Sequence, residues 1–431
     1  MELKDALIKL IKKEVRPAMG CTEPIAVALA ASKAAEIVRQ AGEVVQRVEV
    51  SVDPNVFKNG LGVYVPKTNM VGLTVAAAMG VIGGKSEYGL EVLQDVTDDD
   101  IKKMHKFIKD DRACVKVEGK AGVLQIDAKA FGQTVEGEAK ILGEHDSFVL
   151  FKKDEKILFE KEINLEQVDN SLKEFVFSHE IDEIIDTIKE YDENDLAFLL
   201  DGALMNMEVA DAGLKHEAGL GVGAKLKRQI ENGYLANDLS NKAVMYTAAA
   251  SDARMRGFAL PVMTTNGSGN QGIVSTIPVY VAAKELGISG LELLKALAIS
   301  QTLTIMVKSS IGLLSALCAC TIAAPIGTAA GIIYLMHGKK EHVEAVIQSI
   351  SADITGAICD GAKPGCALKV ASGVATAIRH VFMVLAGLKV SETNGIVGQT
   401  AKESIKNLGT LSKTGMLDAD KAILKIMQNK E

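Results

Sequence analysis

An α+β N-terminal domain with a small antiparallel sheet, followed by a larger all-α C-terminal domain, is the fold class this sequence predicts. Three observations point to it. Short alternating runs of apolar and polar residues crowd between Ala113 and Phe159, the pattern of a half-buried antiparallel sheet. After about residue 175 the alternation fades and apolar residues recur at helical spacing. Aromatic residues make up 4% of the chain and Trp is absent, so the apolar volume comes from small aliphatic side chains that let helices pack closely.

Taken in order, residues 2–16 place Leu3, Leu7, Leu10 and Ile11 on one helical face. The segment Pro17 to Pro24 breaks that helix. A second helix is expected over Ile25 to Arg39, with Gly42 available to end it. Val45 to Val52 alternates and reads as a strand, and Asn69 to Val81 as a buried helix of small residues. The runs 113–117, 123–128, 134–139 and 148–151 then supply the sheet. Beyond them, Ile181-Ile184-Ile185-Ile188, Ala197-Leu200-Ala203-Leu204, Ala243-Tyr246-Ala250 and Leu291-Leu294-Leu297 follow helical spacing, separated by Gly-rich loops. The expected domains are 1–175 and 176–431, joined in the charged region between Phe159 and His179. No internal repeat or low-complexity tract stands out.

Composition narrows the function. The chain has 431 residues, is 48% hydrophobic and 24% charged, and has a net charge of −7, a globular profile without the basic surface of a nucleic-acid binder. The charged, amphipathic start lacks the pattern of a secretory signal. Six cysteines are too few for a disulfide scaffold, so a reducing, cytoplasmic setting is expected. Ser309–Met336 carries no formal charge and is long enough to span a bilayer. Its content of Ala, Gly, Ser, Thr and Cys, with Pro325, favours a buried helix pair instead, and no membrane association is expected.

The chemistry concentrates in cysteines. Cys359 and Cys366 bracket the loop Asp-Gly-Ala-Lys-Pro-Gly, and Cys318-Ala-Cys320 precedes it. Glycine and proline make 359–366 a turn that can aim two thiolates at one point. If 318–320 is helical, its two thiols diverge by about 200°, so one is a ligand candidate and the other a core residue. Three thiolates suit a four-iron cluster with one open iron, or zinc if a His joins them. The plain alternative is that they are small buried hydrophobes.

Upstream, Met19-Gly-Cys21-Thr-Glu-Pro24 places Cys21 before a helix capped by Thr22. The helix N-terminus would lower that thiol's pKa toward about 3.5 to 7.5 and make it a base, nucleophile or ligand. Thr264-Thr-Asn266-Gly267-Ser268-Gly269-Asn270-Gln271-Gly272 is a Gly-rich turn before an apolar segment, suited to binding a carboxylate through backbone amides. It is not a Walker loop, because no Gly-Lys-Ser/Thr follows, nor a dinucleotide fingerprint, since no convincing strand precedes it. Thr393 to Gly398 is a second, less specific Asn-Gly turn. Arg254 and Arg256 could each hold a carboxylate, although a surface ion pair is the simpler reading. The histidines show no metal-ligand spacing, and no lysine context suggests pyridoxal phosphate.

Together Met19–Pro24, Ser251-Asp-Ala-Arg-Met255, Asn266–Gly272, Leu314–Cys320 and Cys359–Lys369 resemble the L-cysteine desulfidase family. More loosely they resemble the α-chain of iron–sulfur L-serine dehydratases. The resemblance spans about residues 12 to 400. It implies a 4Fe–4S lyase that converts L-cysteine to pyruvate, ammonia and hydrogen sulfide, with the cluster on Cys320, Cys359 and Cys366 in the 176–431 domain. Cys318 is the less favoured partner. The family's N-terminal cysteine, a base or an occupant of the open iron, falls on Cys21, and the segment 266–272 falls on the carboxylate-binding loop of the related dehydratases. An amino-acid substrate and a homodimer are expected. L-serine dehydration by the same machinery, or a non-catalytic metal protein sensing thiols or redox state, are the alternatives.

Overall fold

The computed structural model describes residues 2–119, 123–162, 170–312 and 315–429. Much of the expected domain join (163–169) and Leu314 of the first cysteine motif lie outside the described residues.

Two hydrophobic cores organise the chain. The first belongs to a six-stranded sheet with helices on it. Its strands are β2 Arg47–Val52, β3 Ala113–Val117, β4 Gln125–Phe131, β5 Glu136–Leu142, β6 Phe148–Lys153 and β7 Lys156–Glu160, in the order β3-β2-β4-β5-β6-β7. Period-two burial drives it: in β4, Ile126, Ala128 and Ala130 are buried while their neighbours are half-exposed. The helix Thr22–Gln40 carries a nearly continuous buried run, including Ala26, Val27, Leu29, Ala30 and Ala34, and packs in this core with the helix Leu73–Gly83.

The sheet is mixed where sequence predicted a purely antiparallel one. β2 pairs antiparallel with β4 but parallel with β3, Val50 opposite both Ala128 and Val115. The helices between β2 and β3 form the crossover a parallel pair requires. One of them, Asp98–Lys109, is fixed by a capping box between Thr97 and Asp100. The expected helix at 69–81 runs Leu73–Gly83, because a backbone bridge between Tyr64 and Val71 takes up its first residues.

The second core is helical. The helices Gly269–Leu286, Leu291–Ile311 and Ala323–Leu335 bury most of their residues. The helices Ile181–Lys189, Glu193–His216, Leu239–Met255 and Cys366–Leu385 contribute to the same cluster. The N-terminal helix Leu3–Glu14 joins it too, burying Leu7, Leu10 and Ile11. The described residues of the uncharged stretch 309–336 include the end of one helix, a turn at 319–322, and the 13-residue helix Ala323–Leu335. Among the described residues only Cys366–Leu385 is long and apolar enough to cross a membrane, and half of its apolar window is buried within the fold.

A two-stranded ribbon stitches the two parts together. β1 Pro17–Met19 pairs antiparallel with β8 Pro261–Met263, Pro17 opposite Met263. The pairing continues past its ends: Thr264 N donates to Arg16 O at 2.9 Å and Asn266 N to Glu14 O at 2.9 Å. Cys21 and the Gly-rich turn therefore begin side by side.

Candidate active site

The cysteine segments meet through their backbones. Leu317 and Ile358 form an antiparallel bridge, flanked by Cys318 N donating to Ala357 O at 2.9 Å and Cys359 N to Ala316 O at 2.7 Å. Residues 318–320 are consequently in a turn, not a helix. The expected divergence of the two thiols does not arise, since the Cys318 thiol interacts with those of both Cys320 and Cys359. Cys366 opens the helix Cys366–Leu385, and its thiol points to Gly361 O at 3.7 Å. Contact with Cys320 and burial push Cys318 up to about 12. Cys359 rises through contact with Cys318 and through burial, and Cys366 through burial.

Among the described residues no three His, Cys, Asp or Glu side chains already stand in metal-binding geometry. The donor set nevertheless fits a thiolate-held centre. Four soft ligands from two segments gather where cations can offset their charge. Lys308 is buried and interacts electrostatically with Cys359, Cys320 and Cys318. Lys58 is almost wholly buried, pairs with Asp420 at 2.5 Å and acts on Cys359. Asp360 binds both Lys363 and Lys369.

The loop between Cys359 and Cys366 is held against Lys58. Gly361 has φ +85°, and a Cβ there would sit 2.0 Å from Lys58 O, so only glycine allows this approach.

Cys21 is itself the N-cap of Thr22–Gln40, where Thr22 was expected to be. Its thiol donates to Glu23 Oε2 at 3.3 Å. The expected lowering of its pKa is reversed: burial and the Glu23 carboxylate push the thiol well up, against the pull of Arg254. Glu23 also accepts from Thr22 Oγ1 at 3.3 Å and Asn59 Nδ2 at 3.2 Å. Burial raises the Glu23 carboxyl, but His145, hydrogen bonds and Arg254 outweigh it and hold it below its ordinary value. His145 lies in the hairpin between β5 and β6, with Nε2 buried and without a partner.

The Gly-rich turn does follow a strand, β8, which is too short for its alternation to show in sequence. Asn266 (φ +49°) and Gly267 (φ +76°) are both left-handed, and Ser268 caps the helix Gly269–Leu286 by accepting from Gln271 N. Ser268 Oγ lies 3.9 Å from Cys320 Sγ, which ties the turn to the thiols. Asn266 Oδ1 accepts from Lys173 at 3.1 Å. Asn270 and Gln271 are buried. The turn 393–398 packs against Gln348 and Asn407 instead.

Arg254 is not on the surface. It is 7% exposed, and its Nη2 donates to Gly20 O at 3.2 Å, beside Cys21. Arg256 stacks on Tyr64, 4.2 Å from the ring centre. A cleft of about 1070 Å³ opens between the two parts of the chain, and its wall includes Thr22, His145, Asn266, Gly267 and Lys308. Sequence reasoning placed Glu23 only in the first turn of its helix and missed Lys58, Lys308 and His145. Of these three, Lys308 left a trace, as the last charge before the uncharged stretch.

Similarity to known proteins covers the same ground. Residues 87–425 match the family described as serine dehydratase alpha chain. A UPF0597 protein of Alkaliphilus oremlandii is 40% identical over 100% of both chains. One from Clostridioides difficile is 39% identical over 98% of this chain and 99% of its own. One from Bacteroides thetaiotaomicron is 40% identical over 98% of this chain and 97% of its own. The matched region takes in the Gly-rich turn and all the thiols except that of Cys21, and the chain belongs to the serine dehydratase alpha chain family.

Proposed function

We propose that this chain is an iron–sulfur-dependent β-elimination lyase acting on L-cysteine, with water consumed and pyruvate, ammonia and hydrogen sulfide released. The observation that carries this reading is the gathering of the segments holding Cys318, Cys320, Cys359 and Cys366, with Cys320 next to the Gly-rich turn and Cys366 within electrostatic reach of Cys21. Membership of a dehydratase family supports β-elimination as the reaction class. L-Serine is the second candidate substrate, favoured by the name of that family.

Cys359, Cys366 and one of Cys318 and Cys320 would hold a 4Fe–4S cluster, which supplies a Lewis-acidic iron with an open position. The rest of the chemistry falls to the chain. Amides at the start of Gly269–Leu286 would anchor the substrate carboxylate. Cys21 would take the α-proton. Its thiol donates to Glu23 Oε2 at 3.3 Å, and Arg254 is the cation that favours its thiolate form. Loss of the β-sulfur gives aminoacrylate, which tautomerises and hydrolyses in water. A sulfur leaving group suits a soft iron site, which favours cysteine over serine.

The test is anaerobic purification followed by iron, zinc and acid-labile sulfide analysis and by assays with L-cysteine and L-serine. The reading expects roughly four irons and four sulfides per chain, with hydrogen sulfide and pyruvate formed from L-cysteine. Ammonia from L-serine alone would move the assignment to dehydration. A fully loaded protein that turns over neither amino acid would sink the lyase reading and leave a metal-bearing sensor.

A further inference from the structure

A second cavity, of about 180 Å³, lies apart from the cleft and shares no wall residue with it. Its floor is apolar: Ile299 is 1% exposed, Ala330 0%, Val343 5% and Ile185 8%. Its mouth is charged. Asp182 pairs with Lys340 at 3.0 Å and Asp186 with Lys189 at 2.7 Å. Lys339, on the same rim, has no carboxylate partner among the described residues. Both carboxylates are thus matched, and one ammonium is in excess. An apolar floor favours hydrocarbon over water, and an unmatched ammonium favours an anion. The complementary ligand is a short branched aliphatic chain that ends in a single carboxylate. The volume excludes a much larger one.

The cavity sits at the closed end of a helical hairpin. The helix Ala323–Leu335 supplies Ala330, the helix Lys340–Ile354 supplies Val343, and residues 336–339 join them. The open end of that hairpin carries the thiols. Cys320 lies just before Ala323. Cys359 follows Ile354 by way of Ala357, whose carbonyl accepts from Cys318 N, and Ile358, which bridges to Leu317. At 1.5 Å per residue the floor stands roughly 10 to 16 Å from that end. One arm is fixed. A Cβ on Gly327 would lie 2.2 Å from Ser300 O, and one on Gly331 2.7 Å from Ala296 O, so Ala323–Leu335 is seated directly on the backbone of Leu291–Ile311. A wedge at the closed end therefore acts on the other arm, the one that leads to Cys359.

We propose that this cavity is an effector site for a short branched aliphatic carboxylate, and that filling it changes the spacing of the two cysteine segments. The hydrocarbon lies on Ile299, Ala330 and Val343, and the carboxylate meets Lys339. Binding stands without the lyase reading; only the effect on turnover rests on it. The ligand acts through unequal affinity for two placements of the hairpin. The coupling is therefore reciprocal: whatever shifts the thiols also shifts the affinity of the cavity.

The experiment is calorimetric titration of the anaerobically purified, iron-loaded chain with 4-methylpentanoate. Acetate, which lacks the hydrocarbon, should bind at least about 100-fold more weakly. 4-Methylpentan-1-ol, which lacks the charge, should bind roughly 10-fold more weakly. Lys339→Glu should weaken 4-methylpentanoate roughly 10-fold, and Ala330→Leu, which fills the floor, should abolish its binding. Lys339 is exposed, so that variant decides the matter if Ala330→Leu does not fold. Saturating 4-methylpentanoate should change the rate of iron loss to a chelator, and the rate of sulfide release from L-cysteine, by about threefold or more in the parent. Neither rate should respond in Ala330→Leu. Absence of binding, or binding within twofold of the parent in Lys339→Glu, would overturn this proposal and leave the lyase reading intact. Binding that leaves the rate of iron loss unchanged would overturn the effector role. An iron-loss response without turnover of either amino acid would support the effector site and remove the lyase reading alone.

Discussion

Cys21 caps a helix whose N-terminal partial charge, about +0.5, favours a thiolate, yet its thiol keeps its proton. Two opposing forces at one residue explain this. Burial removes the water that would solvate the anion, and the Glu23 carboxylate adds a negative charge at hydrogen-bond distance. Arg254 pulls the thiol the other way. Glu23→Gln removes the negative charge and should lower the Cys21 pKa, read as a shift of the pH profile of sulfide release to lower pH with iron content little changed. Cys21→Ala should lower sulfide release by about 100-fold or more with iron retained, and loss of iron in it would make Cys21 a ligand. A second buried carboxyl gives a pH test. Asp252 accepts from Leu220 N and Gly223 N, but burial still raises it to about 6. Its folded-state pKa lies above the unfolded value, so the folded form binds the extra proton, and its contribution to stability declines as pH rises from about 4 to about 6. Relative to the parent, Asp252→Asn should gain in Tm across that window and stay level above it, as read by thermal melts at each pH.

At the level of elements, the thiol cluster depends on two irregular segments rather than on helices. The turn at 318–320 exists because Cys318 N bonds to Ala357 O across the chain instead of to its own helix. The loop 359–366 fits because Gly361 lets it touch Lys58 O. Gly361→Ala combines a left-handed φ with a backbone clash. It should destabilise the fold by about 2 kcal/mol and deplete iron, both measurable on purified protein. The loop was legible in sequence from its glycines and proline. The turn was not, since Ser315–Thr321 reads locally as an apolar helix and only its partner strand shows otherwise. The strands of the sheet were legible for the converse reason: their period-two pattern is local. The pairing of β2 with β3 was not, because parallel neighbours are chosen by the crossover between them.

Across the whole molecule, distant segments brace the site. The ribbon of β1 and β8 sets Cys21 beside the Gly-rich turn, and the C-terminal helix Leu417–Gln428 contributes Asp420 to the buried Lys58. Removing one partner of such a pair leaves a charge stranded. Asp420→Ala should therefore cost ~3 kcal/mol, seen as a lower denaturation midpoint. If Lys58 also steadies the thiolates, iron should leave that variant faster under a chelator. The helix Leu3–Glu14 belongs to the helical core although its sequence lies on the sheet side, and no local pattern could have announced that.

By itself the sequence determined the long helices and most strands of the large sheet, and that cysteines and a Gly-rich turn are the chemical residues, because periodicity and side-chain chemistry are local properties. Only the tertiary structure decided that the segments 318–320 and 359–366 come together, that Lys308 is buried beside their thiols and Arg254 beside Cys21, and that burial raises the Cys21 thiol. Each of those facts is set by water excluded and charges brought close between segments far apart in the chain.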